Sequence, residues 1–156
     1  MFTRSIPGFG DLRLEHMVMD YNGTIACDGE ILDHVAELAE IVSSSLTIHV
    51  VTADTFGKAR KSLDGLPVTL SILGSERQDE QKLDYIETLG PDTCVCIGNG
   101  RNDALMLEKA KVGIALLQAE GAAVSSVNRA DILCRDIRSA LELFVRPKRL
   151  VATLRS

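Results

Sequence analysis

The sequence predicts an α/β protein: one domain over residues 1–156, built on a doubly wound parallel sheet with helices on both faces. Three observations point there. Short apolar segments alternate with amphipathic stretches of roughly ten to fifteen residues, the pattern of right-handed βαβ units. The apolar content is aliphatic, with no Trp, two Tyr and four Phe, as in sheets buried on both sides. Polar residues crowd immediately after three of the apolar segments, where the ligands of such sheets bind.

The elements follow in order. LEHMVMD (14–20) reads as a strand and YNGTIACDG (21–29) as a turn-rich break. Over 30–44, Ile31, Val35, Leu38, Ile41 and Val42 fall at helical spacing. LTIHVVTA (46–53) is rich in β-branched residues and reads as a strand. Residues 56–65 form a short amphipathic helix that stops at Gly65. A strand over 68–74 precedes a helix over 76–90, whose apolar stripe is Leu83, Ile86 and Leu89. The second half repeats the scheme: strand 93–98, helix 102–111, strand 112–117, a helix or turn over 120–129, strand 130–134 and helix 136–144. The basic tail from Pro147 is a candidate for a last helix. No repeat, low-complexity run or long linker divides the chain.

Composition narrows the function. With 46% hydrophobic and 25% charged residues the chain is neither disordered nor fibrous. A net charge of −5 and a pI near 5.2 argue against a nucleic-acid partner. No apolar run reaches the roughly 18–20 residues of a membrane span. Asp11 and Glu15 stand where a signal peptide needs its apolar segment, so a soluble, cytoplasmic protein is expected. The apolar content is high for a small domain, which makes a homo-oligomer plausible. Cys27, Cys94, Cys96 and Cys134 form no CxxC and no zinc spacing with His16, His34 or His49; buried reduced thiols and structural or surface histidines are expected.

Three clusters carry the chemistry. In DYNGT (20–24), Asp20 follows a strand and precedes a glycine turn. Such an aspartate serves as a phosphate-accepting nucleophile, a metal ligand or a turn cap. In VVTAD (50–54), Thr52 is placed either to bind a phosphoryl oxygen or to cap the next helix. IGNGRNDALML (97–107) ends a strand in Gly-x-Gly, but Asp103 stands where a dinucleotide loop needs its third glycine. Asn99, Asn102 and Asp103 suit a hard cation with oxygen ligands better.

Taken together and in order, with Lys82 before the third cluster, these motifs resemble the haloacid dehalogenase superfamily. Within it the pattern is similar to the phosphorylation domain of P-type ATPases and to small soluble proteins related to it. The likeness spans residues 14 to 134 and implies a Rossmann-like fold. VVTAD resembles the ATPase Thr-Gly-Asp motif, and GNGRNDALML resembles Gly-Asp-Gly-x-Asn-Asp-Ala. The resemblance implies a phosphorylated substrate, Mg²⁺ and a phosphoaspartyl mechanism. Asp20 would be the nucleophile, with its other oxygen on the metal. The Asn22 carbonyl would face the metal, and the amides near Gly23 the phosphoryl oxygens. Thr52 would hydrogen-bond a phosphoryl oxygen and Lys82 would neutralise the shared charge. Asn99 and Asp103 would complete the metal site, and Asn102 would contact the phosphoryl group or Lys82.

Two departures from the family pattern have consequences. Asn22 replaces the aspartate that serves as acid and then base; such help is worth about 10²–10⁴-fold, so slow dephosphorylation is expected. Asn99 replaces a metal-ligating aspartate and removes one negative charge, so weaker Mg²⁺ binding is expected. Only about 27 residues separate Thr24 from Thr52, and about 27 separate Asp54 from Lys82. Neither gap holds a cap domain, and an open site is expected. The expected function is a phosphatase-like or ATPase-like hydrolase. The alternative is a non-catalytic regulatory protein that binds phosphate or Mg²⁺.

Overall fold

The computed structural model describes residues 1–54 and 57–156. The chain opens with a hairpin, β1 (Phe2–Ile6) and β2 (Gly10–Leu14), and enters the main sheet at β3 (His16–Met19). A two-residue hairpin follows, β4 (Ala26–Cys27) and β5 (Glu30–Ile31), then α1 (Val35–Ser43), β6 (Thr47–Thr52), α2 (Lys58–Ser62) and β7 (Val68–Ile72). The second half runs α3 (Gln78–Leu89), β8 (Cys94–Gly98), α4 (Ala104–Lys109), β9 (Val112–Leu116), α5 (Val124–Val127) and β10 (Ile132–Cys134). It ends in α6 (Ile137–Val145) and α7 (Pro147–Leu154).

The six-stranded sheet has the order β10-β9-β8-β3-β6-β7, and every neighbouring pair is parallel. Alternation of side chains divides the interior in two. Met17, Met19, Ile48, Val50, Val95, Ile97, Val112 and Ile114 point to the core shared with Leu38, Ala140 and Leu141. Val18, Val51, Cys94, Cys96 and Ala115 point to the opposite core, shared with Ile86, Met106 and Leu107. Both faces are covered, which is why these strands are almost continuously apolar. Among the described residues no helix is long and apolar enough to cross a membrane.

The expected α/β architecture is present, with differences at its margins. The N-terminal residues pair in register from Phe2↔Leu14 to Ile6↔Gly10, so Leu14 closes a hairpin and the sheet strand begins two residues later. Phe2 anchors that hairpin through an edge-on contact with Phe144, ring centroids 5.3 Å apart. The first helix starts at Val35, because Glu30 and Ile31 pair back on Cys27 and Ala26. The helix expected over 56–65 is seen as Lys58–Ser62; Phe56 lies outside the described residues. Within 120–129 only Val124–Val127 are helical, and the basic tail does form a helix.

Three of the cysteines are buried and all four are free thiols; Cys27 is half-buried. His34 is exposed at the start of α1. His16 and His49 instead form a chain between strands: His16 Nδ1 lies 3.1 Å from His49 Nε2, and His49 Nδ1 lies 2.9 Å from the Tyr85 hydroxyl.

Candidate active site

The sheet order reverses at β3: β6 and β7 lie on one side, β8 to β10 on the other. At such a switch point the loops leaving adjacent strands splay apart and open a crevice. Asp20 is the first residue beyond β3, Thr52 the last of β6, and Asn99 the first beyond β8. Asp20 stays registered to the sheet through its amide, which donates to the Ile97 carbonyl at 3.0 Å.

Lys82 reaches this crevice from the second turn of α3. Its Nζ donates to Asp20 Oδ1 at 2.6 Å and to Asp103 Oδ1 at 2.6 Å. Its side chain is 1% exposed, those of Asp20 and Asp103 11% and 0%, so the three charges meet in a nearly dry site. The other Asp103 oxygen, Oδ2, accepts from the amides of Asn99 at 2.9 Å and Gly100 at 2.8 Å. The loop after β8 thus curls around the carboxylate. Gly98 permits it, since a Cβ there would stand 2.6 Å from Asp103 Cβ.

The charges are unequal. Burial pushes the Asp20 carboxyl up to about 7, and Asp103 pushes the same way, against Lys82 and the Tyr21 amide. Burial also works against the Lys82 ammonium, but Asp103 and Asp20 outweigh it and hold it above its ordinary value. Two carboxylates against one ammonium leave excess negative charge among oxygen donors. Such a surplus would suit a hard divalent cation such as Mg²⁺, for which the Asp20 and Asp103 carboxylates, the Asn99 amide oxygen and the Asn22 carbonyl are candidate ligands.

Thr52 is buried, and its hydroxyl accepts from the Asp54 amide at 3.2 Å. The cap of α2 falls to Asp54, whose carboxylate accepts from the amides of Lys58 at 3.1 Å and Ala59 at 3.2 Å. Among the described residues the bond from the Asp54 amide is the one hydrogen bond of the Thr52 hydroxyl. Asn102 is half-buried, and its Nδ2 donates to Gln78 Oε1 at 2.8 Å. Asn22 is exposed at the mouth.

The loop after Asp20 is closed on itself. The Gly23 amide donates to the Ala26 carbonyl at 2.7 Å, and the Ile25 and Ala26 amides to the Tyr21 carbonyl at 3.0 Å each. The Gly23 amide is therefore engaged within the loop. Gly23 also supplies a positive φ of 78° and room for Asn99, whose Cγ would lie 2.6 Å from an added Cβ. Asn99 Nδ2 donates to the Gly121 carbonyl at 2.9 Å, and its Oδ1 faces the Thr24 hydroxyl at 3.5 Å.

Sequence reasoning missed the residue that holds this loop. Gln118 Nε2 donates to the carbonyls of Gly23 and Thr24, both at 2.8 Å, while its Oε1 accepts from the Ile137 amide at 2.8 Å. Its position directly after the strand over 112–117 was the available signal. Gln78 and Gly121, which orient Asn102 and Asn99, carry no motif of their own.

No protein-family model matches the chain. It is 38% identical over 84 residues to an uncharacterised protein of Methanocaldococcus jannaschii, a stretch covering 53% of this chain and 90% of that protein. Its fold is similar to the cobalt-bound deoxy-D-mannose-octulosonate 8-phosphate phosphatase of Haemophilus influenzae, with a TM-score of 0.72, 11% identity and coverage of 92% and 94% of the two chains. It is also similar to a HAD family hydrolase from Streptomyces avermitilis, with a TM-score of 0.67, 18% identity and 87% coverage of each chain. The catalytic domain of the CPx-ATPase CopB-B is 28% identical, with a TM-score of 0.57, over 70% of this chain and 43% of that one. This chain thus spans less than half of the ATPase domain. The strand-end motifs gathered around Lys82, the shared fold and the likeness to the CPx-ATPase place the chain in the haloacid dehalogenase superfamily, in one family with the Methanocaldococcus jannaschii protein.

Proposed function

We propose that the protein is a Mg²⁺-dependent phosphohydrolase that works through an aspartyl phosphate on Asp20. The observation that carries this reading is the buried triad in which Lys82 lies 2.6 Å from both Asp20 and Asp103. A structural salt bridge needs one carboxylate; a site that accepts a phosphoryl group needs surplus oxygen ligands beside a fixed cation.

In the first step Asp20 Oδ2, the oxygen not held by Lys82, attacks phosphorus in line. The Asp20–phosphorus bond forms as the bond to the leaving oxygen breaks, and that oxygen takes a proton from water. In the second step water attacks the phosphorus, the Asp20 bond breaks, and phosphate leaves. Lys82 stabilises charge throughout, Thr52 donates to a phosphoryl oxygen, and Asn102, oriented by Gln78, contacts another. Residues 22 and 23 border the phosphoryl position. Bound Mg²⁺ would supply the positive charge that keeps Asp20 ionised and offsets that of the phosphoryl oxygens. Asn22 has neither a proton to give nor a basic oxygen for water, so the second step is the slow one.

The test is Mg²⁺-dependent phosphate release from p-nitrophenyl phosphate and from ATP, with Asp20→Asn alongside. The expected result is slow turnover that needs both Mg²⁺ and Asp20. Asn22 and the engagement of Asn99 with Gly121 favour a second reading, a regulatory protein that binds phosphate or Mg²⁺ without turnover. Stabilisation by Mg²⁺ and beryllofluoride with no phosphate release would establish that one.

A further inference from the structure

A cavity of about 350 Å³ opens beside Asn22, the residue that borders the phosphoryl position. Its charged lining is Asp28, Asp54, Lys58 and Glu120. The volume is at the low end of small-molecule pockets, roughly 300–1,000 Å³. Asp28 comes from the β4–β5 turn, Asp54 from just beyond β6, Lys58 from the start of α2, and Glu120 from the loop after β9.

The charges are not mutually cancelled. Asp54 spends its carboxylate on the amides of α2. Glu120 accepts the Asp28 amide through Oε1 at 3.0 Å, and the ligand atoms of Asp28, Glu120 and Cys27 lie within 4.8 Å of one another, so the two carboxylates meet with only the Cys27 thiol beside them as a further donor among the described residues. The neighbouring Cys27 thiol senses both: burial first, then Asp28 and Glu120, hold it above its ordinary value. A wall of three carboxylates and one ammonium repels an anionic group. Its acceptor oxygens are matched by hydroxyl and ammonium hydrogens.

We propose that this cavity is the leaving-group subsite and that it selects small hydroxylated phosphomonoesters bearing an amine, the chemistry of an amino-sugar or amino-alcohol phosphate. Asp28 and Glu120 take the ammonium, and Lys58 donates to a hydroxyl oxygen. The inference rests on the hydrolase reading for the position of the ester. It adds that anionic leaving groups, sugar acids among them, are refused.

The test is a matched series on one carbon skeleton: glucosamine 6-phosphate, glucose 6-phosphate and 6-phosphogluconate, with p-nitrophenyl phosphate as reference. The expected order of kcat/KM is amine, neutral, acid, with steps of about tenfold, the size of a partly screened charge interaction. Asp28→Asn combined with Glu120→Gln should lower the amine-to-acid ratio at least tenfold. A ratio within twofold of unity, or one unchanged in that double variant, overturns the proposal while p-nitrophenyl phosphate turnover upholds the hydrolase. If no ester is hydrolysed the hydrolase reading fails, and an amide NMR titration with the dephosphorylated compounds still judges the cavity. Glucosamine should shift the amides of Asn22, Asp28, Gly29 and Glu120 where gluconate does not; equal or reversed shifts overturn the proposal.

Discussion

Gly23→Ala tests how the loop that follows Asp20 is built. Gly23 has φ 78°, and an added Cβ would stand 2.6 Å from both Cγ and Oδ1 of Asn99. Two costs combine. A left-handed conformation costs an L-residue roughly 1–2 kcal/mol. The collision also drives Asn99 from its bond to the Gly121 carbonyl, adding about 1–3 kcal/mol for an amide left unpaired in a buried site. Gly65 separates the two, since its φ is 79° and nothing lies within 4 Å of an added Cβ. Gly65→Ala should therefore show the conformational cost alone, and Gly23→Ala should exceed it by about 2 kcal/mol, or about 4–8 °C in Tm for a chain of this size. Urea unfolding gives the difference directly if the slopes match. Removing the obstacle with Asn99→Ala in the Gly23→Ala background should recover part of the excess. Equal destabilisation of the two glycine variants, within about 0.5 kcal/mol, would refute the idea that Gly23 exists to make room for Asn99.

Other perturbations reach the remaining parts of the site. Lys82→Met keeps the stem but leaves two buried carboxylates facing each other; it should abolish phosphate release and destabilise by about 3–5 kcal/mol, and a loss below 1 kcal/mol in urea unfolding would deny the triad its structural weight. Asn22→Asp places a carboxylate at an exposed position where the family has its acid and base, and should speed decay of a radiolabelled phosphoenzyme about 10²–10⁴-fold; unchanged decay would mean that something else limits the second step. His49 is held below its ordinary value by burial and then by His16. Its contribution to stability is therefore complete above pH 6.5 and lost as pH falls through the lowered folded-state value, with a slope up to about 1.4 kcal/mol per pH unit. Denaturation at pH 7.5, 6.5 and 5.5 should show this loss in the wild type and a flatter profile in His49→Gln.

The central strands were legible because each is buried on both faces, and burial on both faces demands runs such as HMVM and CVCIG. The two hairpins obey different rules. Pro7-Gly8 and Asp28-Gly29 are the turn dipeptides of each, but β1 is polar between its two ends, β2 alternates, and β4 and β5 are two residues each, so none offers an apolar run of strand length. In GDLRL only Leu12 and Leu14 are buried. For the site, residues that follow strands could be read from order alone. Their convergence could not: that Lys82 would lie 2.6 Å from both carboxylates depends on how α3 packs against the sheet. Gln118 escaped notice because a lone glutamine carries no chemical pattern, only a place in the topology.

The triad also bears on how long the folded state lasts. Lys82 is 62 residues from Asp20 and 21 from Asp103 along the chain, and the three come from the end of β3, the start of α4 and the second turn of α3. Closing such separations costs loop entropy before any contact forms. A triad completed only after the apolar strands have met would govern unfolding more than folding, because interactions absent from the transition state act on the unfolding rate. In that case the charges around Asp20 are a kinetic latch, and a variant without it would be expected to reach its native state at much the ordinary speed and to leave it sooner.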